Sequence, residues 1–364
     1  MECRGLGGPK MEKAGFKLLY DMTTFSALGF GDVIRQYFRY RKVFYAALNH
    51  IKKNKPDALV LIDSPGFNLR FAKKIKKQLP VIYYISPQIW AWGMRRIHTI
   101  KKTVSKMLVL LPFEKELYDK HKVDCDFVGH PLLDQAKPSR PRKELREEFE
   151  IPANAKAVGI LPGSRVSEVQ RILPPMLKTA VLLKRKFPQC RFYLTEAPNV
   201  PKSVYDEIIH QHPKCDLRRT NRRLYDVISA MDFALITSGT VTTEAAILGT
   251  PFFLFYKAAW STYYLGKFLI RVPYLGLVNL LARRPIVPEF IQRNIKPVTI
   301  AHEADVLLNN PGLYTKMKRD FEEVKSILGS GGASQRAAKS IVSFLTSSSE
   351  NNPKRIRVQQ PAEN

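Results

Sequence analysis

The fold class follows from one stretch of sequence, Phe233-Ala234-Leu235-Ile236-Thr237-Ser238-Gly239-Thr240. Its apolar first half is typical of a buried parallel strand, and a helix is predicted directly after it, over residues 241–248. Small and hydroxyl residues between a strand and a helix leave backbone N–H groups free at the positive end of the helix dipole. The stretch therefore predicts an α/β fold and an anion seat formed by Ser238, Gly239 and Thr240. Glu244, one turn into the helix, could then reach a sugar hydroxyl beside a bound phosphate.

The same residues also fit a helix cap. With Thr240 as the N-terminal cap and Glu244 near the first turn, the tract would form a capping box that satisfies its own backbone N–H groups. The tract by itself does not favour either alternative.

Apolar runs alternate with helical patterns through most of the chain, which is typical of α/β proteins. Two series of strands are predicted, at Ala58–Ile62, Val81–Ile85, Met107–Leu111 and Asp126–Val128, and at Ala157–Leu161, Arg191–Leu194, Phe233–Ile236 and Phe252–Phe255. The sequence therefore predicts two doubly wound units with a cleft between them. Ligands of such sheets bind outside the carboxyl ends of the strands.

Composition shifts predict the boundaries of these units. A Pro-rich, charged segment around Pro138–Arg142 indicates a linker between a first domain, 1–140, and a second domain, 151–330. A closing helix over 331–346 is predicted to pack back towards the first domain. The polar residues 347–364 are predicted to be a disordered tail.

The charge of the chain indicates an anionic partner. Its 59 Lys and Arg against 32 Asp and Glu give a formal net charge of +27. A nucleotide, a phosphorylated lipid, an anionic membrane or a nucleic acid would fit this charge, but no RNA-binding aromatic motif or recognition helix supports nucleic acid. The four cysteines are scattered without zinc-ligand spacing, which favours a reducing compartment. Cations, prolines and glycines interrupt the longest apolar stretch, Phe252 to Leu281, so it is a poor transmembrane helix that could still lie on a membrane.

Asp63 directly follows the predicted strand Ala58–Ile62, at a point where a carboxyl group can be partly desolvated. Desolvation raises the pKa of a carboxyl group and suits it to take a proton from a hydroxyl, so Asp63 is the candidate general base. The alternative is that Asp63 caps a helix starting near Phe67.

Two residues after later strands are candidates for the cleft wall. Trp90 could line a sugar or acyl-chain site, although anchoring a buried loop is the commoner role for such a tryptophan. His130 follows the last strand before the linker and would face the cleft, but most lone histidines are satisfied by a backbone group.

The second domain opens with a phosphate-binding pattern at Gly163, Ser164 and Arg165. Glycine lets a phosphate approach the backbone, serine adds a hydroxyl donor, and arginine offers a bidentate fork. A simple glycine turn with a solvated arginine is the alternative. Asn279, Glu289 and Gln292 stand in an otherwise apolar region, where such groups either satisfy buried backbone or touch a ligand.

Taken together, these motifs resemble the lipid-A-disaccharide synthase family in order and spacing from about residue 5 to 345. The motifs that carry the resemblance are Ile62-Asp63-Ser64-Pro65, Tyr84-Ile85-Ser86-Pro87 with Trp90-Ala91-Trp92, Leu111-Pro112-Phe113-Glu114-Lys115, Phe127-Val128-Gly129-His130, Leu161-Pro162-Gly163-Ser164-Arg165, Ser238-Gly239-Thr240 with Glu244, and Asn279-Leu280-Leu281. The resemblance implies a GT-B fold, in which two Rossmann-like domains face each other across a cleft.

The resemblance also implies an inverting transfer of 2,3-diacylglucosamine from UDP to 2,3-diacylglucosamine 1-phosphate, without metal or cofactor. Asp63 would be the family's essential acid and Asn279 an active-site asparagine, while Glu244 would hold the ribose and Arg165 the diphosphate. The partners would be a UDP-sugar donor, an acylated phosphosugar acceptor and an anionic membrane surface. We expect peripheral attachment to the inner face of the cytoplasmic membrane, through the basic first domain and Trp260 to Leu281; a homodimer is left open.

One departure from the family concerns the first domain. The family's first strand and its Gly-Glu-x-Ser-Gly-Asp loop have no counterpart before Gly7-Gly8-Pro9. Because that strand is expected at the middle of the first sheet, its neighbours are predicted to be unpaired. The alternative function is accordingly a catalytically impaired homologue that binds only UDP or anionic lipid.

Overall fold

The computed structural model describes residues 2–23, 33–75, 78–212, 217–221, 223–270 and 272–350. Its strands are β1 Arg4–Gly7, β2 Lys17–Asp21, β3 Leu59–Ile62, β4 Val81–Tyr84, β5 Lys106–Val109, β6 Cys125–Phe127, β7 Ala157–Leu161, β8 Arg191–Thr195, β9 Leu217–Thr220, β10 Phe233–Thr237, β11 Phe252–Tyr256 and β12 Glu289–Ile291. Its helices are α1 Pro9–Lys13, α2 Val33–Asn54, α3 Pro65–Ile75, α4 Ile97–Thr103, α5 Pro112–Lys120, α6 Leu132–Gln135, α7 Arg142–Glu148, α8 Val166–Lys186, α9 Lys202–His210, α10 Leu224–Ala230, α11 Thr240–Ile247, α12 Trp260–Leu269, α13 Leu277–Ala282, α14 Pro297–Asn309, α15 Pro311–Ile327 and α16 Ala333–Glu350.

The larger sheet is parallel throughout, with the strand order β12-β11-β10-β7-β8-β9. Every residue of its two central strands, β7 and β10, is buried, as expected for apolar runs covered on both faces. All eight predicted strands are present. The sequence pattern does not predict β9 and β12, because these short edge strands carry polar residues that disrupt an apolar run.

The first domain contains two separate parallel sheets. One has the order β3-β4-β5-β6, and the other pairs β1 with β2. Leu6 of β1 packs against the same core as β3 and β4, but no hydrogen-bonded ladder joins the two sheets in the part of the chain that the structure describes. The edge strand β3 leaves Val60 and Ile62 exposed. The turn that carries Asp63 therefore follows an edge strand.

The predicted linker and α7 contact the residues of the second domain. Ser139 donates from its backbone N–H and its hydroxyl to the Asp226 carboxylate, at 2.6 and 2.7 Å. In α7, Leu145 is buried in one cluster with Tyr193 and Val227 of the second domain. The apolar side of α7, which precedes the predicted boundary at residue 151, therefore packs against the second sheet.

The last helix, α16, connects the end of the chain to the first domain. Ala337 is buried with Ile82 and Leu108 of that domain's sheet, and the Ser340 hydroxyl donates to Asp126 at 2.6 Å. The helix continues to Glu350, into the residues for which the sequence predicts a tail. Once packing has stabilised the first turns of a helix, adding further residues such as serine costs little free energy. The rest of the predicted tail, 351–364, lies outside the described residues.

None of the described helices is both long enough and apolar enough to cross a membrane. Cys3, Cys125 and Cys190 form no disulfide, and Cys215 lies outside the described residues.

Candidate functional site

The turn after β10 has an open helix end. Helix α11 begins at Thr240, after Gly239 in extended backbone, and no side chain caps it. A side chain at Gly239 would meet nothing within 4 Å. Because the first N–H groups of a helix have no partner within the helix, this end can receive an anion. The capping-box alternative is wrong, since Thr240 is already helical and does not cap α11.

Glu244 is bound by a tyrosine of the neighbouring helix α10. Its Oε1 accepts a hydrogen bond from the Tyr225 hydroxyl at 3.0 Å. Burial raises the pKa of Glu244, and burial together with the charge of Glu244 raises the pKa of Tyr225 to about 12. Oε1 is thus positioned by Tyr225, while no hydrogen bond to Oε2 is recorded within the described ranges. The sequence does not predict Tyr225, because it lies on another helix and carries no motif.

The turn after β7 is partly occupied by its own side chain. Glu168 Oε2 accepts hydrogen bonds from the backbone N–H groups of Ser164 at 3.0 Å and Arg165 at 3.2 Å. Gly163 has φ +115°, and a Cβ there would come within 2.5 Å of Glu168. The backbone of the turn after β7 is therefore that of the simple glycine turn, which was the alternative to a phosphate-binding pattern. The Arg165 side chain, 79% exposed and 2.9 Å from Glu168, remains the group that can extend towards a phosphate.

The two turns lie side by side. Leu161 and Ile236 are register partners in β7 and β10, and Gly163 and Ser238 each follow two residues later. Because the strands are parallel, both turns leave the same edge of the sheet. The open end of α11 and the turn that carries Arg165 are therefore neighbours at that edge.

Asp63 occupies a constrained turn at the end of β3. Asp63 and Ser64 have φ values of 48° and 45°, in the left-handed region that residues with a Cβ rarely adopt. Asp63 is exposed rather than partly desolvated, and α3 begins two residues later, at Pro65. Within the described ranges, no hydrogen bond of the Asp63 carboxylate is recorded.

Two side chains hold this turn in place. Asn68 Nδ2 donates to the backbone carbonyl of Asp63 at 2.7 Å, and the Tyr83 hydroxyl donates to the same oxygen at 2.6 Å. Tyr83 is fully buried, and burial together with the charge of Asp63 raises its pKa far above the ordinary value. Left-handed backbone costs about 1–3 kcal/mol per residue and persists only where surrounding contacts enforce it. The sequence does not predict the role of Tyr83, since an aromatic residue in a buried strand gives no such signal.

Trp90 has the structural contacts of a loop anchor. Its Nε1 donates to Glu114 Oε1 at 3.0 Å, and its ring lies edge-on to Phe113 at 5.1 Å. The Ser86 hydroxyl donates to the same carboxylate oxygen at 2.6 Å. Burial raises the pKa of Glu114. These contacts fix the loop after β4, and the half-buried Trp90 ring stays at its surface.

His130 joins the two domains. Its Nδ1 accepts a hydrogen bond from the Leu132 N–H at 3.2 Å, and its backbone N–H donates to the Leu328 carbonyl at 3.1 Å. Burial lowers the pKa of His130 to about 4, so the imidazole is neutral at neutral pH. The side chain is satisfied by backbone, as it is for most lone histidines.

Asn279 lies in the interior rather than on the cleft wall. It is fully buried, and its Oδ1 accepts from the N–H groups of Ile286 and Val287 at 2.8 and 2.9 Å. Its Nδ2 donates to the Val287 carbonyl at 2.9 Å and to Glu289 Oε1 at 2.8 Å. All four hydrogen-bonding positions of the amide are used, which leaves Asn279 no position for a substrate.

Glu289 and Gln292 form hydrogen bonds to the backbone at the two ends of the segment that contains α12. Glu289 accepts from the N–H groups of Leu275 and Gly276 at 3.0 and 2.9 Å. Gln292 exchanges two hydrogen bonds with the backbone of Ala258, at 3.2 and 3.1 Å. The sequence left two alternatives for these polar residues, namely hydrogen bonds to buried backbone or contact with a ligand. The structure shows hydrogen bonds to backbone.

Two Rossmann-like domains, with an uncapped helix end at the carboxyl edge of the second sheet, define a GT-B protein. The same fold occurs in the calicheamicin glycosyltransferase CalG4, with a TM-score of 0.57, 14% identity, and coverage of 99% of this chain and 92% of that one. It also occurs in a UDP-GlcNAc 2-epimerase from Neisseria meningitidis bound to UDP-GlcNAc, with a TM-score of 0.59, 12% identity, and coverage of 94% and 100%.

The family is shown by sequence. Residues 1–342 match the family described as lipid-A-disaccharide synthetase. A lipid-A-disaccharide synthase from Anaeromyxobacter dehalogenans (strain 2CP-C) is 34% identical over 342 residues, which is 94% of this chain and 89% of the relative. The chain belongs to the lipid-A-disaccharide synthetase family, and it is a glycosyltransferase of lipid A biosynthesis.

Proposed function

We propose that this chain transfers 2,3-diacylglucosamine from UDP to the 6-hydroxyl of 2,3-diacylglucosamine 1-phosphate, with inversion at the anomeric carbon. The products are a β-1,6-linked disaccharide 1-phosphate and UDP. Family membership supports the class of reaction. The observation that carries the residue roles is the adjacency of the two turns after β7 and β10, which gives a diphosphate both a helix end and an arginine.

In this proposal the donor binds to the second domain. The anion seat at Ser238, Gly239 and Thr240 receives the diphosphate through backbone N–H groups, and Arg165 neutralises part of its charge. Glu244, aligned by Tyr225, accepts hydrogen bonds from the ribose hydroxyls. The fold neighbour bound to UDP-GlcNAc supports a UDP-linked donor.

Asp63 is the proposed general base. Its exposed carboxylate is held at the end of β3 by a turn with two left-handed residues. It would take the proton of the acceptor's 6-hydroxyl while that oxygen attacks the anomeric carbon. The bond to UDP breaks with its electron pair, and the new charge on UDP is met by the helix end and Arg165. Gly163 and Ser164 shape the turn that presents Arg165.

The location follows from the substrates. Both are acylated phosphosugars, so the protein would work as a peripheral protein on the inner face of the cytoplasmic membrane, where its net charge of +27 favours an anionic surface. The alternative of an impaired homologue is not favoured by the match, which covers residues 1–342 of this chain and 89% of the relative from Anaeromyxobacter dehalogenans.

The decisive test replaces Asp63 and leaves its strand unchanged. With both acylated sugars supplied, we expect Asp63→Asn to lower the rate of disaccharide formation by about a hundredfold or more, measured by mass spectrometry. Asp57→Asn is the matched control, because Asp57 is an exposed aspartate before the opposite end of β3. Near-normal turnover in Asp63→Asn would remove the proposed base.

A further inference from the structure

We propose that α12 is a membrane-docking helix that places the donor-binding edge of the second domain on an anionic phospholipid bilayer. The inference rests on the proposed function, because it supposes that lipid substrates reach that edge from such a surface. It assigns the attachment to one helix and to named side chains.

The helix exposes an aromatic face. Trp260, Tyr264 and Phe268 recur every four residues, so they lie on one side of α12, and they are 45%, 58% and 84% exposed. Trp260 and Tyr264 are stacked, with ring centroids 5.7 Å apart. An exposed apolar patch of this kind on a protein surface marks an interaction site. Tryptophan and tyrosine favour the boundary between lipid and water.

The charge around the aromatic face fits anionic lipid. No Asp or Glu occurs between Glu244 and Glu289, whereas Lys257 and Lys267 are both exposed beside the helix. The Arg293 guanidinium lies over the Trp260 ring, 4.9 Å from its centroid. An aromatic face whose charged neighbours in sequence are cations, with Arg293 stacked on one ring, is complementary to a negatively charged bilayer.

The segment is fixed to the domain at both ends. Gln292 holds Ala258 just before α12, and Glu289 holds Leu275 and Gly276 after it. A helix held in this way presents its exposed side chains in a constant direction. This gives Glu289 and Gln292, which the sequence marks as unusual polar residues, a positioning role.

The place of α12 in the fold connects it to the site. It begins four residues after β11, which is parallel to β10 and leaves the sheet at the same edge as the anion seat. Docking through the aromatic face therefore brings that edge close to the bilayer. Acylated sugars would then enter without crossing bulk water.

The test is vesicle binding by the full chain. We expect sedimentation with vesicles of phosphatidylcholine and phosphatidylglycerol, little sedimentation with phosphatidylcholine alone, and loss of binding at high salt. Phe268→Ser removes one exposed apolar side chain and should weaken binding about tenfold. Lys267→Gln should weaken it about fivefold, and only on the anionic vesicles.

Val298→Ser is the matched control, because Val298 is another highly exposed apolar residue but lies on α14. Equal vesicle binding by Phe268→Ser and the parent chain would overturn the assignment of α12. So would binding that ignores anionic lipid and salt. A change from dimer to monomer in Phe268→Ser with unchanged vesicle binding would instead make the aromatic face a contact between two copies.

Transfer in detergent micelles separates this inference from the proposed function. We expect Phe268→Ser to keep near-parental transfer when both substrates are dissolved in micelles and to lose it when they are embedded in anionic vesicles. If the parent chain makes no disaccharide in micelles, the proposed function fails, whatever the vesicles show. If both chains are active in micelles and equally active on vesicles, only the docking role of α12 fails.

Discussion

At the scale of single residues, the candidate site separates polar groups that are available to ligands from polar groups that are already satisfied. Asp63 and Arg165 are exposed, and the end of α11 has no cap. Asn279 and His130 instead make hydrogen bonds to backbone. Arg165 also pairs with Glu168, and Glu244 accepts from Tyr225, so the proposed function uses the hydrogen-bonding capacity that these two side chains keep beyond those contacts.

The Tyr225–Glu244 pair gives a prediction at this scale. Glu244→Ala should weaken UDP binding about tenfold, because the ribose hydroxyls lose a charged acceptor, and Tyr225→Phe should weaken it less, because it only releases that acceptor. Titration calorimetry with UDP measures both. Glu303→Ala is the matched control, since burial also raises the pKa of Glu303, which lies on α14. Unchanged UDP affinity in Glu244→Ala would contradict the ribose role.

At the scale of elements, α13 and β12 form the support for α12. Asn279 on α13 binds the backbone before β12 and the Glu289 side chain, and Glu289 in turn holds the chain between α12 and α13. The hydrogen bonds of Asn279 thus connect α13, the backbone before β12 and Glu289.

This arrangement predicts a loss of stability when Asn279 is removed. Asn279→Ala leaves several buried backbone groups without partners, so the free energy of unfolding should fall by about 3 kcal/mol in denaturant titration. Asn294→Ala, at an exposed position nearby, should change it by less than about 0.5 kcal/mol. A large loss of transfer activity in Asn279→Ala at unchanged stability would show that Asn279 acts directly in the reaction.

At the scale of the whole molecule, the two domains are joined by short, specific contacts. At the end of the first domain, the backbone N–H of His130 donates to the Leu328 carbonyl. Helix α16 leads the chain back to the first domain, where Arg336 donates to the Val128 carbonyl at 2.9 Å. The buried His130 thus lies where both domains meet.

The burial of His130 predicts acid sensitivity of the assembled molecule. Folding lowers its pKa from 6.5 to about 4, so above pH 6.5 the residue is neutral in both states and stability is unaffected. As the pH falls from 6.5 to 4, the unfolded chain binds a proton that the folded chain rejects, and up to about 3 kcal/mol is lost. Thermal unfolding across this range should show a smaller loss for His130→Asn, which keeps an acceptor for the Leu132 N–H. An identical acid profile for both chains would contradict this account.

The sequence by itself determined the α/β class, eight strands, the family and the turns where the candidate site lies. These features depend on local patterns, such as the apolar run Phe233–Ile236 and the small residues after it. Such patterns predict a strand and a turn without any knowledge of contacts with distant residues. Only the tertiary structure decided which polar groups are free. Glu168 pairs with the N–H groups of the Gly163 turn, Asn279 is buried, and Tyr225 aligns Glu244. The partner of a polar side chain is often distant in the chain, so no local pattern reports whether that side chain is already satisfied.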